Sequence, residues 1–303
     1  MSASGPGGSI FDLGYQSYTG PRLGRQSAVR ALFSQTVRSC FGIGRGGRAK
    51  IAPFTLAAIA ILPAALAVGF AAIAAQAGPG GAVIENASPI RYESYHGLVS
   101  VLIMLFCAAQ APELFGRDQR YGTLPLYFSR VLTRVDYSLA KVLGLMVALF
   151  AVDVTPYLIL FIGRVLVAPD PATGLADEIA MVPRFLLQAV LVAGLLGGIA
   201  ALIAAWTPRR AYATAAIIAV FIIPPIILAI IYEQSGQELA RATILFSPAD
   251  VLAGTNAAIF GSIPDSPVVA AVDLPGWAYV GAAAIGIVAT IGLTVRRYLR
   301  IAA

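Results

Sequence analysis

Residues 211–232 read AYATAAIIAVFIIPPIILAIIY, without one charged side chain, entered from Arg209 and Arg210 and left through Glu233. About 20 mainly apolar residues in helical conformation cross the hydrocarbon core of a bilayer. This stretch is long enough to do so, and the rest of the chain repeats its pattern. Ile51–Gln76, Gly97–Phe115, Val142–Ile162, Phe185–Trp206 and Trp277–Val295 have the same length and character, which makes six spans with Ala211–Tyr232. The expected fold is therefore an all-α integral membrane protein with six transmembrane helices.

The loops between the spans alternate in charge. The N-terminal lead, the segment from Arg117 to Lys141, the pair Arg209 and Arg210, and the tail with Arg296, Arg297 and Arg300 hold 17 of the 21 basic residues. The opposite side keeps Arg91, Arg164, Arg184 and Arg241. It gathers most of the acids: Glu85, Glu93, Asp170, Asp177, Glu178, Glu233, Glu238, Asp250, Asp265 and Asp273. Lys and Arg accumulate in cytoplasmic loops, so both termini are expected in the cytoplasm. The net charge of +6 follows this topology instead of forming one soluble basic face. It suits anionic lipid head groups and argues against nucleic acid as a partner.

Three regions divide the chain. Residues 1–21 open with Gly and Ser and are too poor in apolar side chains to fold, which marks a disordered cytoplasmic tail. Residues 22–50 hold an amphipathic helix and a linker. Val29, Leu32, Phe33 and Val37 recur at helical spacing, opposite a stripe of Arg22, Gln26, Arg30, Ser34 and Arg38. Such a helix fits the membrane interface, with its apolar face in the acyl boundary, or the surface of a partner subunit. Gly42–Gly47 then breaks it, and residues 51–303 form the six-span domain.

Two connections are longer than compact proteins usually keep without a purpose. The basic one runs from Glu113 to Lys141, with charges flanking a short apolar centre from Leu124 to Leu132. That centre is too short to span and suits a small helix lying across the membrane face, a docking surface for something cytoplasmic. The acidic one runs from Glu233 to Gly276 and contains an apolar segment, Pro248–Phe260, of only 13 residues. That length fits a re-entrant or interfacial piece, which must be covered by protein or water at membrane depth. It is expected to line or plug the outer mouth of a cavity, or else to form a small external cap.

On Glu113, Arg117, Arg120, then Gly122-Thr123-Leu124, Ser129, Arg130, Thr133-Arg134 and Lys141, in this order, the chain resembles the permease subunits of ABC-2-type ABC transporters. The resemblance covers nearly everything past Pro21: an N-terminal interfacial helix, six spans, a coupling helix between the second and third spans, and a re-entrant hairpin before the sixth. It implies that Glu113, Arg117, Arg120, Gly122, Thr123, Leu124, Ser129, Arg130 and Arg134 receive an ATP-binding subunit. It also implies two such subunits, a second permease copy or paralogue, and a bacterial plasma membrane. The chain then binds no cofactor itself, and ATP and Mg sit on the partner subunit. The substrate path would run along the seam between permeases, lined by the first, second and fifth spans. An apolar path of that kind suits export of a hydrophobic or amphipathic cargo such as a drug, lipid or peptide.

The residues themselves agree that nucleotide chemistry lies elsewhere. A P-loop needs a Gly-rich turn followed by Lys and Ser or Thr. Lys50 and Lys141 are the only lysines, and they lie in Ala-Lys-Ile and Ala-Lys-Val. Gly42–Gly47 is glycine-rich but abuts a span. The only histidine, His96, stands beside the second span as an interfacial residue, so neither a metal site nor a catalytic group assembles around it. Cys40 and Cys107 read as a free thiol and a packing residue.

One group inside the membrane needs a reason. Asp153 falls near the middle of the third span, followed by Thr155 and Pro156. An ionisable group at that depth is costly unless paired or hydrated. It either holds the kink at Pro156 or lines a polar path, and the second option leaves an ion- or proton-coupled carrier as the alternative function. A membrane scaffold without transport would need only the docking loop. Gly194 and Gly198 form a G-x-x-x-G that lets helices approach closely, inside the bundle or at a subunit seam. Asn86-Ala87-Ser88 fits the glycosylation pattern only formally.

Overall fold

The computed structural model describes residues 20, 23–77, 90–129, 131–235 and 237–301. The tail expected at 1–21, apart from Gly20, lies outside the described residues, as do Arg22, Glu85 and the Asn86-Ala87-Ser88 sequence. The described chain is helical: α1 (Gly24–Cys40), α2 (Arg48–Gln76), α3 (Tyr92–Arg120), α4 (Leu124–Phe128), α5 (Arg134–Val167), α6 (Pro171–Glu178) and α7 (Met181–Trp206). There follow α8 (Arg210–Ser235), α9 (Gln237–Thr243), a 3-10 turn at Ile244–Phe246, α10 (Pro248–Phe260), α11 (Pro267–Val272) and α12 (Gly276–Leu299). Six of these, α2, α3, α5, α7, α8 and α12, are long and apolar enough to cross a membrane. The chain is a multi-pass membrane protein.

The six helices divide by burial. α3, α5 and α7 form the centre of the bundle, whereas α2, α8 and α12 keep most of their apolar surface uncovered by the chain itself. Phe54, Leu62, Leu66 and Ile73 on α2 and Ile222, Ile226 and Ile230 on α8 all face outward. Lipid tails are as apolar as these side chains, so the outward faces need no further cover. Small residues set the close approaches inside. A Cβ on Gly194 would meet Ile287 Cδ1 at 2.6 Å, and Gly198 lies against Thr290, so the G-x-x-x-G of α7 is occupied by α12 of the same chain. Gly198→Leu is expected to overpack this contact and cost about 1–3 kcal/mol. A lowered unfolding midpoint in detergent checks it.

α1 turns its expected apolar side to the bundle of its own chain, with Val29 and Phe33 packed against the core. Leu32, Thr36 and Cys40 are its buried residues, while Val37 is only half-buried. Gly144 of α5 gives the room: a Cβ there would come within 2.7 Å of Thr36 Cγ2. That fit extends the buried side of the helix to Thr36 and Cys40, against α5. Arg25 fastens its start with a bidentate contact to Asp136, Nε to Oδ2 at 2.8 Å and Nη2 to Oδ1 at 2.9 Å.

Burial pushes the Cys40 thiol up to about 12. The thiolate is the reactive form, so N-ethylmaleimide is expected to leave Cys40 unmodified at neutral pH until the protein is unfolded. Rapid labelling of the native protein would show that α1 detaches from α5.

Candidate functional site

At the arginine-rich end the segment expected to be a loop is mostly helix. Glu113, Arg117 and Arg120 lie in the last turns of α3, and Arg134 opens α5. Hydropathy ended the span at Phe115 because it reports bilayer depth, while the helix continues until Gly122. That glycine adopts a left-handed conformation, φ 61°, and such a residue after the last turn is a common helix stop. The expected apolar helix from Leu124 to Leu132 is shorter than its sequence, five residues from Leu124 to Phe128, with Pro125 in its first turn.

The residues expected to receive a partner, Arg130 apart, each have a definite place. Glu113 lies between two arginines, Oε1 3.4 Å from Arg45 Nη1 and Oε2 3.8 Å from Arg210 Nη1. Arg117 and Arg120 are exposed, and the Arg120 guanidinium sits 6.0 Å from the Tyr121 ring centroid. Thr123 donates from its backbone N and its hydroxyl to the Asp118 carbonyl, at 3.0 and 3.2 Å. Leu124 is buried. The Ser129 hydroxyl donates to the Leu126 carbonyl at 3.1 Å. Arg130 lies outside the described residues. Arg134 donates from Nη1 to the Leu299 carbonyl at 2.9 Å, and its guanidinium stands 5.7 Å from the Phe128 ring centroid.

What α4 presents outward is apolar: Leu126 is 68% exposed, with Tyr121 and Val131 also open.

Three residues outside the expected docking set, Asp118, Tyr137 and Lys141, tie the two spanning helices together at this surface. Lys141 Nζ lies 2.8 Å from Asp118 Oδ2 and donates to the Leu114 carbonyl at 3.1 Å. The Tyr137 hydroxyl donates to the same Asp118 oxygen at 2.6 Å. The Lys141 and Asp118 side chains keep only 9% and 13% of their surface exposed. These bonds join the end of α3 to the start of α5, and the short helix packs on the same place, the Tyr127 and Phe128 rings lying 5.2 and 5.7 Å from the Tyr137 ring centroid. Sequence alone carried one available signal, an acid and a lysine both placed next to apolar spans. Beside this pair a polar cavity of about 470 Å³ opens among Gln35, Ser39, Arg45, Glu113, Arg117 and Tyr127.

The acidic end carries the second constellation. α9 with its 3-10 turn meets α10 at a bend of 97°, so the chain enters the bundle and turns. The apolar segment Pro248–Phe260 is helical over its whole expected length. The Ser247 hydroxyl accepts from the Asp250 N–H at 3.4 Å and caps α10. Buried polar bonds fix the helix in place: Gln188 donates to the Leu252 carbonyl at 3.3 Å, Thr255 donates to Gln188 Oε1 at 3.1 Å, and Asn256 donates to the Glu93 carbonyl at 2.6 Å. A Cβ on Gly254 would collide with the Tyr279 ring of α12. α10 lines a cavity of about 350 Å³ together with α3, α7 and α8.

His96 belongs to that cavity wall. It is 4% exposed in the second turn of α3, which begins at Tyr92: the helix starts five residues before the apolar run does, and the chain itself covers the ring.

No protein-family model matches this chain, and no curated protein matches it. The reading therefore rests on geometry.

Asp153 is 1% exposed in the middle of α5, and neither carboxylate oxygen has a hydrogen-bond partner among the described residues. The Tyr157 hydroxyl, one turn on, is equally buried and unpartnered. Tyr95, Tyr157 and Phe185 form a continuous aromatic stack beside it, with Tyr95 and Tyr157 centroids 5.1 Å apart and Tyr157 and Phe185 5.6 Å apart. Thr155 donates to the Ala151 carbonyl at 2.6 Å, next to the backbone bond that Pro156 removes. Among the described residues no cation faces Asp153, so an ion pair does not account for its position.

Proposed function

We propose that this chain is the membrane-spanning permease subunit of an ATP-driven transporter of the ABC-2 type, an exporter of hydrophobic or amphipathic cargo. One observation carries the reading: a five-residue helix with an apolar outward tip packs Tyr127 and Phe128 on the Tyr137 ring of α5, centroids 5.2 and 5.7 Å apart, where the Asp118–Lys141 pair joins α5 to α3. A surface joined in this way transmits a push from a bound subunit to α3 and α5 together, instead of absorbing it in a flexible loop. The docking subunit supplies ATP and Mg, two copies act on a pair of permeases, and the arginine-rich end faces the cytoplasm of a bacterial cell. A second permease copy would pack along α2, α3 and α8, where Leu98, Val101 and Leu105 on α3 lie among apolar faces that lipid otherwise covers.

A carrier coupled to ions or protons is the second reading, favoured by the two unpartnered oxygens of Asp153. Buried carboxylates in spanning helices serve such relays. Proteoliposomes separate the two. The ABC reading expects uptake into inverted vesicles to require ATP and to persist in Asp153→Asn. Uptake driven by a pH gradient without ATP, and lost in Asp153→Asn, would establish the carrier instead.

A further inference from the structure

We infer that the cavity at the acidic end binds a lipophilic organic cation, its apolar body among Met104, Leu196, Phe221 and Leu252 and its charged nitrogen between Asp265 and His96. This deepens the exporter reading by naming a class of cargo, and it rests on that reading for the cavity's role in transport, although not for binding itself.

The cavity volume, about 350 Å³, lies in the range of small-molecule sites. Its wall is mostly apolar, and its polar groups converge on one side: His96, Ser100, Asp250, Asp265 and Ser266. The two carboxylates differ. Asp250 is buried and saturated, with Oδ2 accepting from the Ser247 hydroxyl at 2.6 Å and Oδ1 from the Ser266 hydroxyl at 2.8 Å. Those bonds leave its negative charge without a cation among the described residues. Asp265 stands at the mouth, its carboxylate lying over Gly97, where an added Cβ would fall 2.5 Å from Oδ2. Burial raises its carboxyl above the ordinary aspartate range, a cost that a nearby positive charge removes.

The independent sign of a ligand is His96, next to Gly97. It lines the cavity at 4% exposure, and its Nδ1 is bonded to nothing among the described residues. A buried ring nitrogen of this kind is costly to leave unmade. Turned toward the cavity, the ring offers this nitrogen to an ammonium or amidinium N–H while the carboxylates compensate the charge. Anions are excluded by the same two carboxylates, and a small hydrated metal ion is disfavoured by the apolar wall.

The test uses the purified chain in lipid nanodiscs without any ATP-binding subunit. Rhodamine 6G, a lipophilic cation with N–H donors, is titrated and read by fluorescence polarisation beside anionic fluorescein. Saturable rhodamine 6G binding, weakened at least tenfold in Asp265→Asn and more mildly in His96→Gln, with no saturable fluorescein binding, is the expected result. Asp265 is exposed at the mouth, so its variant is expected to elute and unfold as the parent does. If it does not, Gly97→Ala, which displaces the same carboxylate, replaces it. Equal rhodamine 6G affinity in a folded Asp265 or Gly97 variant, or preference for fluorescein, overturns the proposal. Because no ATPase is present, failure here leaves the transporter reading standing, and failure to find an ATPase partner leaves this site standing.

Discussion

Asp118→Ala is expected to cost about 3–5 kcal/mol, because it leaves the Lys141 ammonium buried without its partner. The Asp118 carboxylate forms an ion pair with Lys141 Nζ at 2.8 Å and accepts from the Tyr137 hydroxyl at 2.6 Å. The Leu114 carbonyl is the only other described hydrogen-bond acceptor for the lysine. Lys141→Met alone removes the charge that needs compensation but strands the carboxylate, so it is expected to be costly as well. The double variant Asp118→Leu with Lys141→Met is expected to recover most of the loss, since replacing both members of a buried pair by apolar groups is often neutral or stabilising. Unfolding midpoints of the four proteins in one detergent measure the coupling. A single Asp118 variant as stable as the parent would mean that Lys141 reaches water and that α3 and α5 are not locked at this end.

Leu126→Arg is the second large effect, and it falls on binding instead of stability. The side chain is 68% exposed at the tip of α4 and makes no contribution to the core, so the variant is expected to fold as the parent does. An apolar anchor at the centre of a docking surface is commonly worth 2 kcal/mol or more, roughly a thirtyfold weaker complex with the ATP-binding subunit. Arg120→Ala, also exposed, is expected to spare assembly but to reduce the transport obtained per ATP hydrolysed. Titration of the ATPase onto immobilised permease gives the first number, and paired hydrolysis and uptake assays give the second. Unchanged affinity in Leu126→Arg would move the docking surface away from α4.

The sequence was most legible where bilayer physics leaves little choice. All six spanning helices lie where apolar runs reach membrane thickness, and the helix of α10 follows the short apolar segment Pro248–Phe260. Legibility failed at helix ends. Glu113 to Arg120 continues α3 as helix, and Arg134 to Lys141 already belongs to α5, because charge marks the edge of the hydrocarbon and not the end of hydrogen bonding. The stop is a backbone event at Gly122, φ 61°. Pairings across the fold were also hidden. Asp118 and Lys141 were both visible as charges beside spans, yet only tertiary packing brings them to 2.8 Å. The inward face of α1 was legible from Val29, Leu32 and Phe33, whereas the fit of Thr36 into the notch at Gly144 was not. His96 shows the same limit, since its burial depends on α10 and the Asp265 loop folding back over α3.

The central claim is that α4 receives an ATP-hydrolysing subunit. The most direct measurement is to coexpress the tagged chain with candidate ABC-type ATP-binding subunits, purify through its tag, and assay hydrolysis in the eluate, with Leu126→Arg alongside. The account expects a stoichiometric ATP-binding chain with vanadate-sensitive hydrolysis, lost from the Leu126→Arg eluate while the permease itself is recovered intact. A well-folded permease that never retains an ATPase would contradict it, and would shift the weight to a carrier built around Asp153.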